Sequence, residues 1–159
     1  MKAVVIFDSY FGNTEKIAQA IGEGLGENAG VQVLRVSAVQ PDDLAGADLL
    51  VVGSATRGFS ASPGVRNYLK SLPAGRLDGV RVAAFDTRIP KAQIEKNGFL
   101  NFMVKLFGYA AEPIARQLKA RGGELLAPAE GFFVEDSEGP LSEGELERAA
   151  AWGKHLLAG

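Results

Sequence analysis

Groups able to bind a ligand concentrate near the start of the chain, in the loop Ser9-Tyr10-Phe11-Gly12-Asn13-Thr14. The Ser9 and Thr14 hydroxyls and the Asn13 amide can donate hydrogen bonds, and Gly12 lets the backbone approach a ligand closely. An apolar run precedes the loop and apolar residues at helical spacing follow it, which predicts strand, loop and helix. Because the first N–H groups of a helix lack internal partners and carry partial positive charge, this loop is predicted to bind a phosphate.

Three better-known patterns are absent from this region. The loop lacks the G-x-G-x-x-G fingerprint of dinucleotide binding and the G-x-x-x-x-G-K-[ST] pattern of nucleoside triphosphatases. A receiver domain of a response regulator would need an Asp at the end of the third strand, but residues 48–54 end in Gly53-Ser54. The chain is therefore not predicted to be a dinucleotide-binding protein, a nucleoside triphosphatase or a receiver domain, and the loop is expected to bind a phosphate of another kind of ligand.

The composition suits one globular domain over residues 1–159 and narrows its chemistry. A net charge of −2 gives no indication of non-specific nucleic-acid binding. The absence of cysteine excludes disulfides, iron–sulfur clusters and thiol catalysis, and a single histidine, His155, argues against a histidine metal site. Any redox chemistry would therefore need a bound organic cofactor.

Strand and helix patterns alternate along the chain. Strands are predicted near 2–8, 31–36, 48–54, 80–86 and 124–134, the last interrupted around 128–131, and helices near 13–27, 63–71, 110–121 and 142–157. This alternation predicts an α/β fold whose parallel sheet is covered on both faces and has the strand order 2-1-3-4-5. Ligands of such sheets bind beyond the carboxyl ends of the strands, here between strands 1 and 3.

The loop and the strand order together give the sequence a resemblance to the flavodoxin family over essentially the whole chain. The first loop of that family reads roughly [ST]-x-T-G-x-T and binds the phosphate of FMN. The resemblance implies a flavodoxin-like three-layer sandwich with FMN as cofactor and the loop Ser9–Thr14 around its phosphate. Phe11 stands where the family usually has Thr, which removes one hydroxyl contact.

The loop after the third predicted strand is similar to the family's loop that lies against the flavin ring. The resemblance implies flavin contacts from Ser54, Ala55, Thr56, Arg57, Gly58 and Phe59. The Arg57–Gly58 peptide is where the family reorients a carbonyl and an N–H toward flavin N5 on reduction. An aromatic residue is common in the family where Arg57 stands, so stacking would come from Arg57 or Phe59. Alternatively, Arg57 is a solvated loop charge and Phe59 a core residue.

The loop after the fourth predicted strand resembles a flavodoxin subgroup that reads F-D-T-[RK]. The resemblance implies that Asp86, Thr87 and Arg88 bind the cofactor, with Thr87 and Arg88 along the polar edge of the ring. Two arginines near the ring, Arg57 and Arg88, would favour the negatively charged reduced flavin and make its reduction potential less negative. The alternative is a simple strand end with an exposed arginine.

Two further segments have both a functional and a structural interpretation. Residues 98–109 are strongly apolar, which is typical of a docking or membrane-surface element, of a lid over the flavin edge, or of a helix packed in the core. Residues 135–147 carry six acids and no base. Such a run would steer a basic redox partner, or would simply favour the start of a helix.

The predicted function is non-covalent FMN binding and the shuttling of electrons between redox proteins, a reductase and an acceptor. Two alternatives remain open: an FMN-dependent NAD(P)H:quinone-type reductase on the same fold, and a flavodoxin-like interaction module with weak or lost flavin binding. Residues 2–7 do not form a secretory signal, and no stretch is long and apolar enough to span a membrane. A cytoplasmic location is therefore expected.

Overall fold

A parallel β-sheet lies at the centre of the computed structural model, which describes residues 1–26, 30–56, 60–89, 98, 109–136 and 138–158. Its strands are β1 (Lys2–Asp8), β2 (Gly30–Arg35), β3 (Leu49–Ala55), β4 (Arg81–Arg88), β5 (Glu124–Leu125) and β6 (Glu130–Phe133). The strand order is β2-β1-β3-β4-β5, β6 also pairs with β4, and all pairs are parallel. The predicted fold and strand order are confirmed.

The fifth predicted strand is divided into two short ones. Both pieces pair with β4, β5 near its start and β6 at its end. Residues 126–129 separate them and include Pro128, which lacks the N–H that a strand ladder needs. The predicted interruption is confirmed, at a position slightly closer to the N-terminus.

The helices that the structure describes in full lie on both faces of the sheet. They are α1 (Asn13–Leu25), α2 (Pro63–Ser71), α3 (Ala111–Ala120) and α4 (Glu145–Ala158), with short 3-10 turns at Val36–Ala38 and Pro41–Leu44. One apolar cluster joins α1 and α4 to the sheet, and a second joins α2 and α3 to it. Successive residues of β1 point to opposite faces, so its apolar run is buried in both clusters.

Trp152 packs the last helix, α4, against the sheet. The Trp152 ring is largely buried and meets Phe85 and Phe132 edge to face, with centroids 6.3 and 5.9 Å apart. The apolar segment 98–109 lies outside the described residues except for Gly98 and Tyr109. Across the described ranges, no helix combines the length and apolarity needed to cross a membrane.

Glu145, the first residue of α4, ties this helix to the sheet. Its carboxylate accepts hydrogen bonds from the Phe133 amide at 2.7 Å and from the Arg148 guanidinium at 2.7 and 2.9 Å. Arg148 also forms an ion pair with Glu130 at 3.1 Å. Burial raises the pKa of Glu145, but the hydrogen bonds from Arg148 and Phe133 outweigh burial, so this pKa lies below the usual glutamate value. One acid of the 135–147 segment therefore has a structural role.

We expect Arg148→Met to lower the free energy of unfolding at neutral pH by about 1.5–3 kcal/mol, the usual contribution of hydrogen bonds to charged groups. Because the folded-state pKa of Glu145 is depressed, its contribution is present above the unfolded value of about 4.3 and is lost as the pH falls through the folded-state value. Urea unfolding from neutral to acid pH should therefore show the difference from wild type shrinking in acid. Lys154→Met, at an exposed position of α4, is the control. An equal loss at every pH would contradict this account.

Candidate functional site

The carboxyl ends of β1, β3 and β4 lie side by side in register. Asp8 of β1 is opposite Ser54 of β3, Ser54 is opposite Asp86 of β4, and Ala55 is opposite Thr87. The three loops predicted to hold a cofactor therefore start from one edge of the sheet. This edge includes the point between β1 and β3 where the strand order reverses, the usual ligand position in such sheets.

The loop after β1 presents an uncapped helix N-terminus. Gly12 is the N-cap residue of α1 and has φ +90° and ψ −7°, a conformation that other residues rarely adopt. Gly12 has no side chain with which to cap α1, and no side-chain hydrogen bond caps this end within the described residues, so the first N–H groups of α1 are available to a ligand or water. The Ser9 hydroxyl accepts a hydrogen bond from the Gly12 amide at 3.0 Å, and its own proton is therefore directed elsewhere. This set of donors fits a phosphate group, whose oxygens are acceptors.

Arg35, at the end of β2, holds this loop from the side, although it is not among the predicted site residues. Its guanidinium donates to the Ser9 carbonyl oxygen at 3.2 Å and to the Glu15 carboxylate at 3.1 Å. The same group lies 3.6 Å from the Asp8 carboxylate and 5.1 Å from the centroid of the Phe7 ring. Arg35 is opposite Phe7 in the β1–β2 register. The predicted strand order pairs strands 1 and 2, and this pairing is enough to place the end of strand 2, and thus Arg35, beside the loop.

Three other predicted loop residues have different surroundings. The Asn13 side-chain amide donates to the Glu138 carbonyl oxygen at 3.1 Å, which ties the loop to the connection before α4. A phosphate contact from Asn13 would therefore come from its backbone amide. Tyr10 and Phe11 are 41% and 50% exposed, so aromatic surface stands at the tip of the loop where the family pattern has a hydroxyl.

The first and third loops touch directly through two hydroxyl groups. Thr14 Oγ1 and Thr87 Oγ1 lie 2.8 Å apart. Both residues are buried, with 1% and 5% of their surface exposed. This contact fixes the N-terminus of α1 against the carboxyl end of β4.

Ser54 supports the loop after β3 from within. Its hydroxyl donates to the Ala55 carbonyl oxygen at 2.9 Å and accepts from the Ser62 amide at 2.9 Å. The residue is fully buried. Ser62 in turn caps α2 through the Val65 amide at 3.2 Å. The Ser54 side chain therefore holds the two ends of this loop together.

Thr56 connects the loop after β3 to the end of β4 and to the start of α3. Its amide donates to the Thr87 carbonyl oxygen at 3.0 Å, and its hydroxyl accepts from the Ala110 amide at 3.2 Å. The next three residues, which the family resemblance places against the flavin ring, lie outside the described part of the chain: Arg57, Gly58 and Phe59.

Asp86 is fully buried at the end of β4 and forms a bidentate ion pair with Arg88. Arg88 Nε donates to one carboxylate oxygen at 2.7 Å, and Nη2 donates to the other at 2.8 Å. The Ala111 amide, at the start of α3, donates to the same carboxylate at 2.9 Å, and Thr56 provides a further side-chain hydrogen bond. Burial raises the pKa of Asp86, while these hydrogen bonds and the charge of Arg88 oppose that rise.

Arg88 also packs against an aromatic ring that is not among the predicted site residues. Its guanidinium lies 3.9 Å from the centroid of the Tyr109 ring, and 18% of its side chain is exposed. Because the Asp86 carboxylate compensates its charge, the pair as a whole carries no net charge. The electrostatic effect predicted for Arg88 on a reduced flavin is correspondingly weaker.

Comparison with known proteins identifies the family. Similar structures include a flavodoxin from the domain Archaea (24% identity, 99% of this chain and 97% of that one, TM-score 0.73) and oxidised flavodoxin 1 from Bacillus cereus (18%, 99% and 98%, 0.76). These likenesses show the fold. No curated protein matches the sequence. The sequence model of the flavodoxin family, however, matches residues 5–152. The chain therefore belongs to the flavodoxin family, whose proteins bind FMN and transfer electrons.

Proposed function

We propose that this flavodoxin carries electrons between a reductase and an acceptor protein, with the FMN phosphate in the Ser9–Thr14 loop and the flavin ring between the loops that follow β3 and β4. The observation that carries the proposal is the uncapped N-terminus of α1. Gly12 adopts its positive-φ conformation there, and its amide donates to the Ser9 hydroxyl oxygen, which leaves the Ser9 proton available to a ligand. A phosphate would satisfy both features.

The described residues divide the work of holding FMN. At the phosphate, Ser9 and the amides at the start of α1 would donate hydrogen bonds, while Arg35 positions the loop through the Ser9 carbonyl. At the ring, the ends of β3 and β4 would line one side with the backbone of Ala55 and Thr56 and with the side of the Asp86–Arg88 pair that remains exposed. Arg57, Gly58 and Phe59 stay predictions as ring contacts.

Bound FMN supplies the electron-carrying chemistry, and the protein supplies binding, orientation and electrostatics. Electron transfer through FMN requires no nucleophile or general base from the chain. Instead, Asp86 orients Arg88 and also holds the start of α3 through the Ala111 amide. The Asp86 carboxylate thus joins β4 to α3. Both elements border the predicted position of the flavin ring, so this contact would help to shape the ring pocket.

The identity of the partners and the cellular location belong to this proposal as well. Flavodoxins transfer electrons to redox partners, and the acidic segment 135–147 would favour a partner with a basic surface. Docking through residues 98–109 and a cytoplasmic location both stay as the sequence predicts them. Crosslinking to a candidate reductase and cell fractionation test these two points.

The function is tested by titrating the wild-type apoprotein with FMN and with riboflavin, and then by reducing the FMN complex stepwise without oxygen. We expect FMN to bind at least about tenfold more tightly than riboflavin, because charge-assisted hydrogen bonds to the phosphate are usually worth about 1.5–3 kcal/mol each. We also expect the two electrons to enter in two resolved steps.

Each other outcome would select a different function. One unresolved two-electron step, together with turnover of NADH and a quinone above that of free FMN, would identify a reductase. Failure to bind FMN at all would overturn the proposed function and would favour an interaction module. Equal affinity for FMN and riboflavin would show that the Ser9–Thr14 loop does not hold the phosphate.

A further inference from the structure

Two buried threonine hydroxyls join the phosphate loop to β4. Together they have two protons, and the hydrogen bond between them uses only one. Thr14 is the second residue of α1, Thr87 is the second-last residue of β4, and their Oγ1 atoms are 2.8 Å apart. Each hydroxyl has one proton to donate. One of the two protons lies between the oxygens, and the other must point away from the pair.

The remaining proton has no acceptor within the described part of the chain, where the bond between Thr14 and Thr87 is the one that either hydroxyl makes. The two residues are only 1% and 5% exposed, so bulk water does not readily serve as the acceptor. A buried donor without a partner is costly. The position of Thr14 at the N-terminus of α1, beside the uncapped amides, indicates which acceptor would satisfy it: an oxygen of an anionic group bound at that end of the helix.

We propose that Thr87 is a positioning residue for the phosphate of FMN: its hydroxyl donates to Thr14 Oγ1 and thereby directs the Thr14 proton to a phosphate oxygen. This inference rests on the proposed function. In the opposite direction, the Thr14 hydroxyl would donate to Thr87 Oγ1. Only the lone pairs of the Thr14 oxygen would then face the phosphate, and two acceptor oxygens repel each other. A phosphate accepts hydrogen bonds and offers few or none, so it selects the first direction.

The Thr87 side chain faces the phosphate loop, whereas the neighbouring Asp86 side chain faces the start of α3. Successive residues of a strand point to opposite faces of the sheet. The Thr87 hydroxyl reaches α1, whereas the Asp86 carboxylate on the other face binds the start of α3. The family resemblance implies that Thr87 lines the ring. In the structure the Thr87 carbonyl oxygen accepts a hydrogen bond from the Thr56 amide, and the Thr87 hydroxyl faces the phosphate loop.

The test compares the affinities of the full-length protein for FMN and for riboflavin, which lacks the phosphate. Thr87→Val keeps the shape of the side chain and removes the hydroxyl. It should weaken FMN binding about three- to tenfold and leave riboflavin binding unchanged. The expected loss is smaller than that for removing a whole charge-assisted hydrogen bond, because Thr87 only orients the Thr14 donor. Thr87→Ser should recover most of the FMN affinity.

A double-mutant cycle shows whether Thr87 acts through Thr14. Thr14→Val should weaken FMN binding about tenfold or more, and adding Thr87→Val to it should have no further effect on FMN affinity. The proposal is overturned if Thr87→Val weakens FMN and riboflavin equally, or if its effect persists in the Thr14→Val background.

A measurement on the wild-type protein covers the case in which a variant does not fold. In the FMN complex, NMR should detect a scalar coupling between the Thr14 hydroxyl proton and the phosphorus atom. A Thr14 proton that is instead directed at Thr87 would overturn the proposal while leaving the FMN site intact. If wild type does not bind FMN, or binds it no more tightly than riboflavin, the proposed function itself has failed, and the two failures are thus distinguishable.

Discussion

Replacing Arg88 with Met is expected to lower the free energy of unfolding of the apoprotein at neutral pH by about 3–5 kcal/mol, the usual cost of removing one partner from a buried ion pair. The reason is that the Asp86 side chain is fully buried and receives two hydrogen bonds from Arg88, at 2.7 and 2.8 Å. Met fills much of the same volume but leaves the carboxylate without its counterion. The Ala111 amide and Thr56 would remain as its partners.

The loss should depend on pH in a direction that identifies Asp86 as its source. Burial already raises the pKa of Asp86 in wild type, and removing Arg88 removes the interactions that oppose this rise. A carboxyl group with a raised pKa in the folded state holds its proton more tightly when folded than when unfolded. Stability therefore falls as the pH rises from the unfolded aspartate pKa of about 3.9 through the folded-state value. Arg88→Met should accordingly be less destabilised in mild acid than at neutral pH.

Urea unfolding of Arg88→Met, Asp86→Asn and the double variant measures both effects. In the double variant no uncompensated charge is buried, so at neutral pH it should be more stable than Arg88→Met alone although it carries one more substitution. Purely additive losses, or a loss for Arg88→Met that does not change with pH, would show that the ion pair does not carry the stability assigned to it.

The sheet could be predicted from the sequence because the strands are buried on both faces. The runs at residues 3–7 and 49–52 are continuous apolar segments, and a strand covered by helices on both sides is the structure that buries such a run completely. The glycines in α1, by contrast, have a cause that lies outside the helix. Gly24 weakens a helix by its local propensity, yet a Cβ there would collide with the backbone of Ala150 in α4. The absence of a side chain is thus required by a partner far along the chain, which local patterns do not contain.

The phosphate loop could be predicted, whereas its supporting contacts depend on side-chain directions across the sheet. Asp86 and Arg88 are two residues apart and therefore lie on one side of β4, so their ion pair was within reach of strand periodicity. The bond between Thr14 and Thr87 was not, because it requires the rotation of α1 about its axis as well as the register of β4. The role of Tyr109 beside Arg88 likewise follows from packing between distant segments.

Replacing Gly12 with Ala is expected to weaken FMN binding by about tenfold or more while lowering the stability of the apoprotein only modestly. At φ +90° an L residue is strained by about 1–2 kcal/mol. Among the described residues, no atom beyond the two chain neighbours lies within 4 Å of the added Cβ, so the strain comes from the backbone conformation and not from a collision. The chain can relieve it by rotating the peptide before α1, which would turn the amides at the start of the helix away from the phosphate. Titration with FMN and with riboflavin should then show a loss for FMN alone.

Gly46→Ala is the matched control for this prediction. Gly46 has φ +71°, and its added Cβ likewise meets no atom within 4 Å in the part of the chain that the structure describes, apart from its chain neighbours. Gly46 precedes β3 and therefore lies at the opposite edge of the sheet. The two variants should therefore lose similar amounts of stability, and only Gly12→Ala should lose FMN affinity. If both variants were equally destabilised and both kept the wild-type affinity for FMN, the backbone conformation at Gly12 would have no part in binding, and the amides at the start of α1 would not be the donors to the phosphate. A loss for Gly12→Ala that appeared equally with riboflavin would instead place the effect at the ring, because riboflavin lacks the phosphate on which the loop is expected to act.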